Sequence, residues 1–499
     1  MARTMSIPPL ARALADIPGP VTYPIIGNLH QYVWGPFRKT KYHEALGRLH
    51  EMYGPLVKQS IGGRTIVHVF DPDDIKTVYA HEGKWPQVPP LQETTQMYRQ
   101  QRQMSLGLGN TNGEEWYRLR SNSQQRMLRP KEVQRHLPMV NQIAQDFAQR
   151  LNRVRYITQE VSDLRLEVGR WSLENAGALV FDQRLNCLSY NTDEEEFGRQ
   201  MVEANATIFQ LSGLLKLSMP WYKYVSTPKW RQLVKAEDFF YSGAIQLVDD
   251  AMLRFKDTLE NQTLTSDQFY FLQYLLSKSE LSLKDVTVIC LSLFSDGLST
   301  TTPTLLFNLY ALANNKAVQE LVYQEICNVM GMDDTITVEH INRMVYLKAF
   351  VKETFRVWPN GTEVSRYTEE DMELSGYRIP AGTHVDLNPL VHFRDPKLFP
   401  NPNVHQPERW MRSKPDREAG IHPYLLTPFG HGTRMCAGRR FAEQDLYVVL
   451  ATILRRFELS YPVGESMDQI YHTLLFPDRP VRVKFQDRKT IPKQVAVKK

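Results

Sequence analysis

The stretch that most constrains this chain is Phe429-Gly430-His431-Gly432-Thr433-Arg434-Met435-Cys436-Ala437-Gly438. It holds one thiol in a glycine-rich bend, with an arginine two residues upstream and an amphipathic helix predicted from Arg439 to Arg456. Glycine admits left-handed backbone and lets a flat ligand approach closely. A thiolate at a helix start is stabilised by the N–H groups there and by the positive end of the dipole. Those are the needs of a metal-bound thiolate, which stays deprotonated and is tuned by donors beside its sulfur. A buried structural cysteine, the ordinary fate of a lone Cys, needs neither the glycines nor Arg434.

The spacing Phe429-Gly430-x-Gly432-x-Arg434-x-Cys436-x-Gly438 resembles the haem-ligand loop of the cytochrome P-450 superfamily, the haem-thiolate monooxygenases. The resemblance implies haem b (iron protoporphyrin IX) with Cys436 as axial iron ligand, Arg434 paired to a propionate and Phe429 near the sulfur. It also implies O2 as cosubstrate and a mainly α fold with a smaller β region, built on a long central helix over the haem.

Composition allows this. A hydrophobic share of 42% with 11% aromatic residues can build a large core. A net charge of +5, from 60 basic and 55 acidic residues, is too mild for nucleic-acid binding but allows a local basic patch. Cys187, Cys290, Cys327 and Cys436 show no CxxC spacing, so neither a disulfide framework nor a zinc site is expected. No apolar run reaches the roughly eighteen residues of a spanning helix.

Residues 1–16 contain Arg3 and Arg12, hydroxyl side chains and, before Asp16, no acid, a composition like a mitochondrial targeting segment. A frayed N-terminus has the same composition. No linker or repeat divides residues 17–487, read as one domain, and 488–499 form a basic tail. Val57 to Ile61 and Thr65 to Phe70 alternate around Gly62-Gly63, a hairpin signal. Asp71-Pro72 supplies an N-cap and first-turn proline for a short helix. Pro89 to Asn112 is polar and Gln-rich, so it reads as a loop with at most one helical turn. Trp116 and Arg120 lie four apart on a predicted helix and share a face; the family resemblance assigns both to a haem propionate.

From Val140 to Asp257 the pattern is helical, broken near Ser218-Met219-Pro220. Leu214, Leu215, Leu217, Trp221, Tyr222 and Tyr224, with Lys216 and Lys223 between them, suit a loop dipping into a membrane face. Ordinary packing between two helices suits them equally; the resemblance favours peripheral membrane contact. Leu283 to Asn314 reads as the longest helix, with Ser295-Asp296-Gly297-Leu298-Ser299-Thr300-Thr301-Thr302-Pro303 at its midpoint. Hydroxyls, glycine and proline inside an apolar helix contradict local propensity, and such conflicts tend to mark functional sites. Pro303 lacks an N–H, so the carbonyl of Ser299 loses its helical donor. By the resemblance, Thr300 is the threonine that serves dioxygen chemistry, while Ser299 stands where the family usually has an acid. Proton delivery then runs either through hydroxyls and water or through Asp296, one turn back.

Glu353 and Arg356 share a face of a helix predicted from Tyr346 to Trp358. They resemble the family's ExxR pair, completed by Arg409, which implies a folding clamp for the haem loop. Lys348 and Lys352, with Arg439-Arg440, resemble the face that mitochondrial members present to an adrenodoxin-like ferredoxin, itself reduced by an NADPH-dependent reductase. Matrix-side attachment to the inner mitochondrial membrane follows from the same resemblance. The family lines its substrate pocket from segments matching 358–366 and 471–476, with Arg366 as a further propionate partner. Trp358, Val364, Leu474, Leu475 and Phe476 would form an apolar wall interrupted by Asn360, Thr362, Glu363 and Ser365, suited to a large apolar substrate with a few hydroxyls. Trp85-Pro-Gln-Val-Pro-Pro, Ser295 to Thr301 and Glu353 to Tyr367 resemble members that hydroxylate ecdysone at carbon 20, which implies an ecdysteroid substrate. A hydroxylase for another sterol or a foreign compound, and a haem-binding protein without turnover, are the alternatives.

Overall fold

The computed structural model describes residues 11–189, 191–261, 270–331, 335–411 and 421–488. Residues 1–10 of the expected targeting segment and 489–499 of the basic tail lie outside the described residues. Arg12 pairs with the short hairpin of Met372–Leu374 and Tyr377–Ile379, donating its N–H to the Gly376 carbonyl at 3.0 Å and laying its guanidinium 3.8 Å from the Tyr377 ring centre.

Leu56–Ile61 (β1) and Arg64–Val69 (β2) form the expected hairpin, with Gly62 and Gly63 at φ 61° and 82°. Helix Pro72–Ala80 (α1) follows, capped by the Asp71 carboxylate, which accepts from the N–H groups of Asp73 at 2.9 Å and Asp74 at 3.1 Å. Where a loop was expected, nine residues form the helix Glu93–Gln101 (α2). Its buried stripe is Thr94, Thr95, Tyr98 and Arg99, mostly polar, so a hydrophobic period cannot reveal it.

Four helices, rather than one broken run, fill the next stretch: Leu137–Val154 (α4), Leu164–Val180 (α5), Thr192–Lys216 (α6) and Pro228–Asn261 (α7), after Gly113–Met127 (α3). The expected central helix is Leu283–Asn314 (α8), with Ser282 and Asp285 exchanging capping hydrogen bonds and Pro303 inside it. At 32 residues it is shorter than the 34-residue α7, contrary to the sequence expectation. Partners of α2 lie on α7: Thr95 donates to Glu237 and Tyr98 to Asp238, each at 2.8 Å, and Arg99 Nε donates to the Tyr241 hydroxyl at 2.7 Å.

Val345–Val357 (α9) leads into Val364–Tyr367 (β3) and His384–Leu387 (β4). The sheet order is β1-β2-β4-β3, with β2 and β4 parallel and the other pairs antiparallel. Arg439–Arg456 (α10) matches its expected bounds, and Gln469–His472 (β5) turns at Thr473 into Leu474–Pro477 (β6).

Two apolar clusters meet along α8. Its first half, Val286 to Leu298, packs with α5, α6 and α7, and its second half, Leu305 to Ala313, with α4, α9 and α10. The hydroxyl-rich residues 299–304 fall at the divide, which explains why an otherwise apolar helix tolerates them. Gly297 serves contact here: a Cβ on it would lie 3.2 Å from that of Ala176 on α5.

Glu353 has no exposed surface. Its carboxylate accepts from Arg356 at 2.7 and 3.0 Å, Arg409 Nε at 3.2 Å, the Gln406 N–H at 3.1 Å and Trp410 Nε1 at 2.9 Å. Arg356 and Arg409 also donate to the carbonyls of Phe393, Val404 and Asn401. The pair on α9 therefore fastens the irregular chain that leads to the thiol loop. Removing one partner of such a buried pair costs on the order of 3–5 kcal/mol. Glu353→Gln is expected to lower stability by about that amount, read from the midpoint of denaturant unfolding.

Candidate active site

The thiol loop closes on itself. The Cys436 N–H donates to the Phe429 carbonyl at 2.8 Å, and Gly430 and Gly432 sit at φ 69° and 76°. A Cβ on Gly432, already disfavoured by the positive φ, would lie 2.4 Å from a Glu82 carboxylate oxygen, so the bare backbone lets Glu82 pack against the loop. Phe429 packs edge-on against Phe355 of α9, their ring centres 5.4 Å apart.

Three guanidinium groups converge beside this loop. Arg434 donates to the carbonyls of Pro86 at 2.9 Å and Thr111 at 2.8 Å and to Asn112 Oδ1 at 2.7 Å, and lies 4.0 Å from the Trp116 ring centre. Arg120 donates to the Met435 carbonyl at 2.8 Å, and its buried Nε has no partner. Arg366 donates to Glu82 at 3.0 Å. Burial, with repulsion from Arg366 and Arg120, pushes Arg434 down to about 9. Glu82 is the carboxylate that faces this group, and burial raises its own pKa. Three cations against one reluctant anion define a site for further anionic charge.

Burial raises the Cys436 thiol, while the N–H groups of Gly438 and Arg439 and the charge of Arg120 pull it back. The N–H groups at the helix start favour the thiolate as expected, but in the protein alone burial outweighs them. Desolvation wins, and a bound metal ion supplies the missing positive charge. Cys436 nonetheless keeps open surface, as does Asp296 on α8, and the two interact electrostatically, so both face one interior space. Burial pushes the Asp296 carboxyl up to about 6 against the charge of Arg99.

The α8 midpoint is hydrogen-bonded mainly to itself. Thr300 Oγ1 donates to the Asp296 carbonyl at 2.7 Å and Ser299 Oγ to the same oxygen at 3.2 Å. Ser299 is buried, whereas Thr300 is half-buried and Asp296 exposed. Asn360 donates to the Thr300 carbonyl at 3.0 Å and the Thr304 hydroxyl at 2.5 Å, fixing the kink-prone segment from outside.

The expected substrate wall is revised. The Trp358 ring packs with Phe307, Tyr310 and His405, in the core. Leu475 is fully buried in a separate cluster with Tyr42 and Tyr471, while Leu474 packs toward α6, α7 and α8. Successive strand residues point to opposite faces, so both leucines cannot line one pocket. The polar complement is engaged within the protein: Asn360 on α8, Thr362 on Glu363, Glu363 on Lys216, and Ser365 on Asp386 at 2.6 Å. Val364 and Phe476 are half-buried.

On the opposite side, Lys352 is exposed with its ammonium 4.1 Å from the Trp410 ring centre. Lys348 is half-buried, donates to the Asn342 carbonyl at 3.3 Å and shares Glu443 with Arg439, while Arg440 is exposed. Glu82 and Arg99 went unnoticed in the sequence, because each acquires its role from residues far away in the chain.

A single thiolate in a tight loop, faced across an interior space by a hydroxyl-rich helix and flanked by an unbalanced guanidinium group, defines a haem-thiolate oxygenase site. The chain belongs to the family described as Cytochrome P450, which matches residues 17–485. It is 41% identical over 477 residues to "Probable cytochrome P450 CYP44" of Caenorhabditis elegans, covering 93% of this chain and 92% of that protein. It is 29% identical to the mitochondrial sterol 26-hydroxylase of Rattus norvegicus and 27% identical to the mitochondrial 1,25-dihydroxyvitamin D(3) 24-hydroxylase of the same animal, each covering 96% of this chain and 90% of the relative.

The enzyme is therefore a monooxygenase that uses haem with a cysteine thiolate ligand and O2 as cosubstrate. The residues present fit that group. Among the described residues, Arg120 and Arg434 have no carboxylate partner, the only anion beside the three guanidinium groups is the Glu82 carboxylate on Arg366, and the orphaned Arg120 Nε needs an acceptor. Cys436→Ser is expected to abolish the thiolate-type absorption band of the reduced carbon-monoxide complex. Serine at buried Cys187 or Cys290 is expected to leave that band in place, as measured by difference spectroscopy.

Proposed function

We propose that the enzyme is a mitochondrial, ferredoxin-driven hydroxylase of a sterol-type substrate, with ecdysone oxidised at carbon 20 as the particular reaction to test. The single observation that carries the chemistry is that Asp296, with Thr300 one turn along, acts electrostatically on Cys436 beside a guanidinium group short of anions. Two relatives named as mitochondrial hydroxylases of a sterol and of 1,25-dihydroxyvitamin D(3) support the substrate class and the compartment. An exposed basic group of Lys352, Arg439 and Arg440 on the thiol side supports an acidic ferredoxin, supplied by its NADPH-dependent reductase.

Haem held by Cys436 beside Arg120, Arg366 and Arg434 would supply the O2 chemistry, in which two electrons from the ferredoxin and two protons let one oxygen atom enter a C–H bond while the other leaves as water. The chain's own residues then manage protons. Asp296, pushed up to about 6 by burial, is mainly ionised at neutral pH yet close enough to it to take up a proton and hand it on at the open side of α8. Thr300 Oγ1, one turn along, offers a hydroxyl beside it, and buried Ser299 supports the helix backbone. Thr300→Ala and Asp296→Asn are each expected to lower product formed per electron consumed by up to about a hundredfold, the lower end for a lost general acid. Unchanged coupling in both would remove them from the proton path.

Exposed Trp221, Tyr224 and Val225, with Tyr23, Ile25 and Trp34 on the neighbouring N-terminal segment, support peripheral membrane contact. Among the described residues no helix is long and apolar enough to cross a membrane. A second reading, a less hydroxylated sterol, is favoured by the internal hydrogen bonds of Asn360, Thr362, Glu363 and Ser365, since a polyhydroxylated substrate then finds fewer partners. Product analysis with ferredoxin, reductase and NADPH separates the two: ecdysone yielding its 20-hydroxy product supports the first, and side-chain oxidation of cholesterol alone the second. Oxidation of neither, in a preparation whose haem is reduced by the ferredoxin, overturns the sterol reading.

A further inference from the structure

The far end of α6 is tied to the sheet by a buried ion pair. Lys216, the last residue of that helix, places its ammonium 2.6 Å from a Glu363 oxygen, with side-chain exposures of 28% and 6%. The ammonium lies 4.9 Å from the Tyr42 ring centre and 5.8 Å from that of Tyr471. The second Glu363 oxygen accepts the Thr362 hydroxyl. Behind the pair, Asp386 on β4 adds negative charge, itself held by Ser365 at 2.6 Å and His384 at 2.9 Å. Burial alone would depress the lysine, yet Glu363, Tyr471 and Asp386 together raise it, so it stays charged.

What this tie spans matters. Toward its middle, α6 lies on α8 through Asn205, which donates to the Ser295 hydroxyl at 2.9 Å, next to Asp296. At its end, Gly213 presses against the β5–β6 turn, where a Cβ would lie 2.5 Å from the Thr473 nitrogen, and Thr473 donates to the Phe209 carbonyl at 2.9 Å. Glu363 lies just before β3, three residues from Arg366 in the guanidinium group. Beyond Lys216 the chain runs into the connection to α7 with its exposed Trp221, Tyr224 and Val225. The helix over the interior space is thus closed against the sheet at its C-terminal end.

We propose that Lys216 and Glu363 form a latch whose opening frees the end of α6 and admits bulky ligands to the space faced by Asp296 and Cys436. The physical character of the pair suits this. Coulomb attraction between buried ions is largely offset by their lost hydration, so the closed state is specific in geometry without being deeply favoured. Once apart, both ions regain water, which apolar side chains at these positions would not.

The inference rests on the haem-thiolate reading, and the test keeps the two apart by comparing two ligands of the ferric haem. Imidazole is small enough to enter a closed protein; clotrimazole is bulky. In the haem-loaded enzyme, stopped-flow absorbance should show that Lys216→Met and Glu363→Gln each speed clotrimazole association by about tenfold, equivalent to ~1.4 kcal/mol removed from the closed state. Imidazole association should stay at the wild-type rate, and the double variant should be no faster than either single one. An unchanged clotrimazole rate, or equal acceleration of both ligands, overturns the latch, while imidazole binding itself shows the haem site intact. If neither variant retains haem, hydrogen exchange of the wild-type holoenzyme decides. Amides of residues 213–217 should exchange as one protected unit, slower than residues 221–225, and slower still with clotrimazole bound. Exchange of 213–217 at the rate of that connection overturns the proposal.

Discussion

The carboxylate of Glu353 accepts hydrogen bonds from Arg356, Arg409, Trp410 and the backbone of residue 406, with no surface left to water. Everything near the thiol depends on it. Helix α9 is regular and can hold its own shape, but the chain between β4 and α10 cannot, since its described part is turns and short 3-10 segments. A buried ion cluster cannot rearrange cheaply, because every donor it loses leaves charge stranded in a medium of low dielectric. The clamp therefore confers position more than stability. It sets where Phe429 meets Phe355, and through that contact where Cys436 stands.

A second constraint works in the opposite sense. Around the loop the protein assembles positive charge that it does not neutralise: Arg434 is driven down to about 9 by burial and by its neighbours, and Arg120 has an orphaned nitrogen. Such an arrangement costs free energy in the protein alone. An anionic, flat cofactor with a metal centre relieves it at both ends, offering carboxylates to the guanidinium groups and positive charge to a thiol that burial otherwise protonates. Strain in the site and affinity for the cofactor are one electrostatic fact.

Helix α8 joins these regions to the reaction space. Its halves belong to different apolar clusters, and hydroxyls and Pro303 occupy the seam. Asn360 donates to the carbonyl of Thr300 from outside the helix, beside the Ser299 carbonyl that Pro303 leaves without its helical donor. The latch at the end of α6 would govern access to the same space.

Local patterns determined much of this protein. The hairpin at Gly62-Gly63, the Asp71 cap, the span of α8 and both ends of α10 were legible because periodicity, caps and turn residues act within a few positions. The thiol loop was legible for the same reason, its chemistry being compressed into ten residues, and the resemblance added Arg409 and Arg366. Tertiary structure decided the rest. It made a helix of α2, whose buried stripe is polar and is matched by Glu237 and Tyr241 on α7. It split Leu474 from Leu475 between two clusters and withdrew Asn360, Thr362, Glu363 and Ser365 into internal hydrogen bonds. It also set the balance at Cys436, where burial outweighs the helix-start N–H groups and Arg120 of α3, and Asp296 of α8 adds to the cost. Charge and desolvation sum over everything within several ångströms, and sequence separation says nothing about which residues those will be.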